Sequence, residues 1–126
     1  MIFGAHILLY STDAEADRAF FRDILKFRWV DAGEGWPIFK LPPSEVAVHP
    51  AEDAEADLEC PLLSSELYLM CDDVQAVVRS LKAIKVKCSP ISTAPWGKWT
   101  RISLPSGGAI GLYQPTHPVA CDLDSE

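Results

Sequence analysis

The sequence repeats one pattern of secondary-structure signals halfway along the chain. Thr12 and Asp72, 60 residues apart, each stand where a helix is expected to begin, and Glu15 or Gln75 follows three residues later, as in a capping box. Each start follows an apolar run and precedes three further strand-like runs. One such unit leaves a face of its sheet uncovered, so two units are expected to meet. The repeat therefore predicts an α+β chain of two βαβββ modules forming an open, cup-shaped mixed sheet.

The repeat also predicts the organisation of the 126 residues. A single domain is expected at residues 1–115, with module one at 2–50 and module two at 65–115. The acidic stretch 51–64 lacks strand alternation and is interpreted as a connector, while the polar residues 116–126 are expected to form a flexible tail. Short capping patterns are common, so an α+β domain whose halves are similar by chance is the alternative.

Apolar spacing predicts the individual elements. Residues 14–25 and 74–84 have apolar side chains at three- and four-residue spacing, which indicates two helices that each cover one sheet face. Strands are predicted at residues 5–10, 28–31, 36–41 and 45–49 in module one, and at 66–71, 86–89, 98–104 and 109–113 in module two.

Composition excludes several classes of partner. A net charge of −7 argues against a nucleic-acid backbone or an anionic membrane surface as the main partner. No apolar stretch approaches the roughly 20 residues that a membrane helix needs, and no secretory signal precedes the first apolar run. The four cysteines lack metal-binding spacing, and Cys71 and Cys88, which lie in or beside apolar runs, are interpreted as small, reduced core residues. A cytoplasmic location is expected.

Strand alternation predicts which side chains face the cup. Because the helices cover one face of the sheet, the more apolar parity of each strand is expected to point toward them. The opposite parity then lines the concave face and brings together His6, Glu45, His49, Glu66 and Tyr113. Burying ionisable groups is costly unless they are paired or bound to a metal, so this set is the best candidate for a site.

Three stretches of the sequence resemble the vicinal oxygen chelate superfamily, which includes glyoxalase I, bleomycin-resistance proteins and extradiol dioxygenases. They are GAHILLYSTDAEADRAFFRDILKF, ELYLMCDDVQAVVRSLKAIKV and PWGKWTRISLPSGGAIGLYQP. The first ends in a phrase similar to FYRDvLGF, and the last is similar to a closing DPdGnxiELyQP hairpin. The resemblance covers roughly residues 3–115. It implies the two-module fold and a homodimer with sites at or near the subunit interface.

The resemblance also implies a divalent metal site, with four strands each supplying one ligand. These positions fall on His6, Glu45, Glu66 and Gly111, and glycine has no side chain with which to coordinate. The first three would hold Fe, Mn, Ni or Zn, with Tyr113 or His49 as the acid or base. The alternative is that no metal is bound and that His6 and Glu66 pair across the cup.

Aromatic residues suggest a second kind of site. Trp36, Trp96 and Trp99 lie in or beside turns and, with Tyr68, would form a wall for a flat or apolar small molecule, or would pack at an edge or a dimer contact. Arg101 would hold a carboxylate or phenolate there, or stay solvated. Two functions therefore remain open. One is a metal-dependent lyase or extradiol-type dioxygenase, and the other is a metal-free protein that binds or sequesters a small molecule.

Overall fold

A computed structural model of the chain describes residues 1–50 and 62–123. In chain order the elements are α1 (Ala14–Asp23), β1 (Trp29–Asp31), β2 (Pro37–Phe39), β3 (Tyr68–Met70), α2 (Val74–Ala83), β4 (Ser92–Ala94), β5 (Gly97–Ser103), β6 (Ala109–Pro115) and a short 3₁₀-helix, Ala120–Asp122. The predicted α+β class is confirmed. Residues 51–61, which make up most of the predicted connector 51–64, and the last three residues lie outside the described range. No helix in the described residues is long and apolar enough to cross a membrane.

Both helices begin one residue later than the capping boxes predict. The carboxylate of Asp13 accepts a hydrogen bond from the backbone N–H of Ala16, and that of Asp73 accepts one from Ala76, at 3.2 and 3.1 Å. An aspartate at the N-cap satisfies a helix N–H that has no partner within the helix. Thr12, the predicted cap, instead donates its hydroxyl hydrogen bond to the carbonyl oxygen of Ser106 at 3.3 Å. The two true caps keep the 60-residue offset of the repeat.

Module two forms a complete βαβββ unit. Its four strands lie in the order β3-β6-β5-β4, with β3 parallel to β6 and the other pairs antiparallel. One face of this sheet carries the buried side chains Ile102, Ile110 and Leu112, which belong to the same core cluster as Val74 and Leu81 of α2. The predicted strand at residues 86–89 is reduced to a single bridge between Cys88 and Ile102. The opposite face of the sheet is left free of the helix.

Module one is less complete, with β1 and β2 forming a two-stranded antiparallel hairpin. The predictions of strands at residues 5–10 and 45–49 are wrong for the single chain, since neither segment has strand structure. Their side chains are correspondingly exposed: Ile7 by 45%, Leu8 by 61%, Leu9 by 44%, Val46 by 88% and Val48 by 84%. A strand needs a partner edge for its backbone hydrogen bonds, and alternating apolar residues do not supply one. The described residues therefore form two separate sheets.

The two modules are joined through a buried carboxylate as well as through the apolar core. Asp17 of α1 is only 8% exposed. Its oxygens accept hydrogen bonds from the hydroxyl of Ser11 at 2.7 Å, and from the backbone N–H and hydroxyl of Ser106 at 3.0 and 2.7 Å. Three donors satisfy the buried charge, which would otherwise be costly. The first helix is thereby fixed to the turn between β5 and β6.

Candidate ligand-binding site

Four aromatic side chains meet on the face of the module-two sheet that α2 leaves free. We call Tyr68, Trp96, Trp99 and Tyr113 the aromatic face. The ring centroids of Tyr68 and Tyr113 lie 5.8 Å apart, and those of Trp96 and Tyr113 lie 5.4 Å apart, both pairs nearly perpendicular. The rings of Trp96 and Trp99 are stacked with centroids 6.3 Å apart. Edge-to-face and stacked aromatic pairs of this kind contribute more stability than the burial of their apolar area alone would.

Strand register explains why these residues meet. Met70, Tyr113 and Trp99 stand side by side across β3, β6 and β5. Tyr68 lies two residues before Met70 on β3, where it pairs with Gly111 of β6. Because side chains alternate along a strand, residues of one parity on three paired strands share a face. Trp96 joins them from the turn between β4 and β5, where its ring contacts both tyrosines.

Gly111 allows the ring of Tyr68 to lie flat against the sheet. A Cβ atom built on Gly111 would overlap the ring atoms of Tyr68. The requirement for glycine here is close approach, since this position has no positive φ. The position that the resemblance gives to the fourth metal ligand is therefore covered by an aromatic ring.

Tyr113 is hydrogen-bonded to a histidine that the sequence did not single out. Its hydroxyl oxygen lies 3.0 Å from Nε2 of His117, and Nδ1 of the same ring lies 2.7 Å from the carbonyl oxygen of Pro118. Burial raises the pKa of Tyr113 above its usual value, and the negative charges of Glu45 and Cys121 raise that pKa further. His117 was missed because residues after 115 were predicted to be a tail. The only sequence signal was its position four residues after an inward-facing tyrosine.

The segment after β6 makes further hydrogen bonds to the same end of the sheet. Thr116 donates its backbone N–H to the carbonyl of Trp96 at 3.0 Å and its hydroxyl to that of Pro95 at 2.9 Å. The backbone hydrogen bond of Thr116 fixes the chain immediately before His117, which lies beside Tyr113.

Arg101 provides a positive charge at the border of the aromatic face. It lies two residues along β5 from Trp99, and its Cζ atom is 5.6 Å from the centroid of the Trp99 ring. In the sheet it stands opposite Gly111. A guanidinium in this position is solvent-accessible and has a fork of donors for an acidic or polar acceptor group.

The predicted metal ligands do not lie together in the part of the chain that the structure describes. One carboxylate oxygen of Glu45 accepts hydrogen bonds from the backbone N–H groups of Ala120 and Cys121, at 2.7 and 3.4 Å. His6, His49 and Glu66 are exposed. No group of three His, Cys, Asp or Glu side chains that could hold a metal occurs in residues 1–50 and 62–123. The side chains described in one chain therefore do not fit a divalent metal.

Trp36, the remaining predicted ligand contact, lies elsewhere. The Cζ atom of Arg18 on α1 is 4.3 Å from the centroid of the Trp36 ring. The turn that carries this tryptophan is held by Asp31, whose carboxylate accepts the N–H groups of Gly33 and Gly35 at 2.8 and 3.3 Å. Trp36 therefore makes a cation–π contact with module one's own helix.

Comparison with solved structures identifies the fold. The antibiotic-binding protein TnmS3 of Streptomyces sp. CB03234 is 24% identical, with a TM-score of 0.57 over 92% of this chain and 100% of that one. Lactoylglutathione lyase of Agrobacterium tumefaciens is 20% identical, with a TM-score of 0.56 over 84% and 88% of the two chains. A virulence protein of Salmonella typhimurium is 17% identical, with a TM-score of 0.54 over 92% and 100%.

No protein-family model matches the chain, and no curated protein matches its sequence. At the identities found, the likeness to the solved structures establishes the fold and leaves the ligand and the reaction open. The resemblance seen in the sequence is thus confirmed at this level: the chain has the glyoxalase/bleomycin-resistance fold.

Proposed function

We propose that this protein binds a small, flat aromatic molecule on its aromatic face. The observation that carries the proposal is the gathering of Tyr68, Trp96, Trp99 and Tyr113 on the one sheet face that the helix leaves uncovered. Trp96 remains 41% exposed. Aromatic rings provide a large apolar area for stacking while their polar atoms orient the ligand.

Two further features of the face suit a flat ligand. The absence of a side chain at Gly111 lets the ring of Tyr68 approach the sheet closely. Arg101 lies at its border, where the guanidinium would hold a carboxylate, phenolate or other acceptor of the ligand. The antibiotic-binding protein TnmS3, which has a similar fold, is in keeping with this function.

In this proposal a second copy of the chain completes the site. Residues 5–10 and 45–49 present exposed apolar side chains and pair with no strand among residues 1–50 and 62–123, and within that range β2 and β3 each have a neighbouring strand on one side only. Unpaired strand edges and exposed apolar side chains favour association. Strand pairing between two copies would satisfy both and would place module one of one chain over the aromatic face of the other. A symmetric homodimer is the simplest closed assembly of this kind.

A second candidate is an enzyme that acts on the bound molecule, with Tyr113 as acid or base. One observation favours it, the 3.0 Å hydrogen bond between the Tyr113 hydroxyl and Nε2 of His117, which provides a proton acceptor for the phenol. In the metal-dependent form of this candidate, His6, Glu45 and Glu66 would have to meet across the dimer. Glu45 would first have to release the N–H groups of Ala120 and Cys121.

Titration of the purified protein with a panel of neutral and anionic aromatic compounds, followed by tryptophan fluorescence, tests the binding proposal. Quenching that saturates for members of the panel is the expected result, since Trp96 and Trp99 form part of the surface. A flat response across the panel would contradict the proposal. Metal analysis of protein purified without chelator tests the metal-dependent candidate, which requires about one tightly held ion per site.

A further inference from the structure

We propose that His117 sets the hydrogen-bonding polarity of the aromatic face, so that Tyr113 accepts hydrogen bonds from ligands and the site selects aromatic compounds that carry an N–H or O–H donor. This inference rests on the proposed binding function and specifies the chemistry of the ligand. His117 lies outside β6 and acts on the ligand through Tyr113, so its role is that of a positioning residue.

The tautomer of His117 follows from its two hydrogen bonds. Nδ1 lies 2.7 Å from the carbonyl oxygen of Pro118. A carbonyl oxygen only accepts, so Nδ1 must carry the ring proton. In the neutral ring Nε2 then has a lone pair and no hydrogen. The 3.0 Å contact with Tyr113 is therefore a hydrogen bond that the phenol donates and His117 accepts.

This arrangement commits the only hydrogen that Tyr113 can donate. A phenol oxygen has one hydrogen to give and lone pairs with which to accept. Because burial and the nearby charges of Glu45 and Cys121 raise the pKa of Tyr113, the phenol retains its proton and the bond to His117 persists. What Tyr113 still presents to a ligand is a lone pair. A ligand donor can use that lone pair, whereas a ligand carbonyl or ether oxygen cannot.

The rest of the surface has the complementary polarity. Glu45 places a negative charge near Tyr113, which also favours a donor at this end. Arg101 has only hydrogen-bond donors. It lies two residues along β5 from Trp99, which is the cross-strand neighbour of Tyr113. At about 3.4 Å per residue, Arg101 is therefore about 7 Å along the strand from Trp99. The preferred ligand is therefore an aromatic ring with a donor at one end and an acceptor at the other.

The tautomer can be measured directly. Long-range ¹H–¹⁵N correlation spectra of the full chain, assigned with the His117→Phe variant, distinguish a protonated Nδ1 from a protonated Nε2. A neutral His117 with the proton on Nδ1 is the expected result. A proton on Nε2 would reverse the hydrogen bond to Tyr113 and overturn the inference, whether or not any ligand has been found.

Selectivity can be measured with two probes, 4-nitroaniline and N,N-dimethyl-4-nitroaniline. Both have an acceptor nitro group and absorb where tryptophan emits, but only the first has an N–H donor. The ratio of their dissociation constants is compared between the unmodified protein and His117→Phe. Removing His117 frees the Tyr113 hydrogen, so the preference for 4-nitroaniline is expected to fall by about threefold to tenfold, the value of one hydrogen bond.

Thr116→Val is the matched control, because it removes a 2.9 Å hydrogen bond of the same segment and leaves the bond between Tyr113 and His117 in place. It is expected to leave the ratio unchanged. A ratio that is the same in His117→Phe as in the unmodified protein would overturn the inference, as would an equal fall in Thr116→Val. If neither probe binds the unmodified protein, the binding proposal loses its support and the tautomer measurement alone decides the role of His117.

Discussion

Asp17 and Ser106 are joined by two hydrogen bonds although they stand 89 positions apart in the chain. The backbone N–H and the hydroxyl of Ser106 both donate to the Asp17 carboxylate, at 3.0 and 2.7 Å. Asp17 lies in the first helix, and Ser106 lies in the last hairpin turn of the second module. The bonds therefore hold the two modules together at a point where the carboxylate is 8% exposed.

Replacing Asp17 by alanine is expected to lower the free energy of unfolding by about 1–3 kcal/mol, because it leaves the part-buried donors of Ser106 without their acceptor. Urea denaturation followed by circular dichroism measures the change. Asp23→Ala is the control, since it breaks an exposed salt bridge of 2.9 Å between Asp23 and Arg22. Such pairs contribute about 0–1 kcal/mol. Equal losses in the two variants would contradict the role given to Asp17.

The Gly111→Ala substitution is expected to force the ring of Tyr68 away from the sheet, because the added methyl group would overlap that ring. Overpacking of this kind costs about 1–3 kcal/mol of stability, and the displaced ring should also weaken the binding of aromatic ligands. Gly108→Ala is the matched control, since the nearest atom to its built Cβ is the Ser106 hydroxyl oxygen at 3.5 Å. Calorimetry and ligand titration of both variants provide the comparison. Unchanged ligand binding by Gly111→Ala would contradict a role of the Tyr68 ring position in binding.

Truncating Trp96 to alanine should weaken the binding of aromatic ligands more than any other single change on the sheet face. The reason is that the Trp96 ring contacts Tyr68, Trp99 and Tyr113. Loss of one stacking partner predicts a reduction in affinity of about fivefold or more. Trp36→Ala, which removes a tryptophan that packs on Arg18 of α1, should leave affinity within a factor of two of the unmodified protein. Calorimetric titration measures both, and comparable losses would place the ligand elsewhere.

A charge placed in the first apolar segment should disrupt the proposed homodimer. Leu8→Asp is expected to shift the protein toward the monomer, since Leu8 is 61% exposed in the single chain and would be covered by the second copy. Light scattering coupled to size-exclusion chromatography reports the mass. Ile84→Asp, at a residue 55% exposed beyond the end of α2, is the control and should leave the mass unchanged. A monomeric unmodified protein at micromolar concentration would refute the assembly.

The raised pKa of Tyr113 predicts a loss of stability in alkali. The folded-state pKa lies above the unfolded value of about 10, so the folded protein holds this proton more tightly than the unfolded chain does. The contribution is complete below about pH 10 and is lost as pH rises through the folded pKa. Tyr113→Phe lacks this group, so its stability should fall less steeply over that range. Parallel alkaline denaturation curves for the two proteins would contradict the shift.

Local signals in the sequence were sufficient for the helices and for the main strands of module two. Helix starts depend on residues within three positions of each other, and even the one-residue error in the caps left the 60-residue offset between Asp13 and Asp73 intact. Alternation along β3 and β6 correctly placed Tyr68 and Tyr113 on the same side, because a period of two is a property of the strand itself.

The sequence by itself thus determined the α+β class and the two helices with their 60-residue offset, which depend on short-range periodicity and capping. Only the tertiary structure decided the contacts between distant positions: the carboxylate of Asp17 on Ser106, the ring of Tyr68 over Gly111, and the hydrogen bond from Tyr113 to a histidine beyond the last strand. Within the part of the chain that the structure describes, it also left residues 5–10 and 45–49 without strand partners. The physical reason is that pairing requires a second edge at the right place in space, which no local pattern of apolar residues supplies.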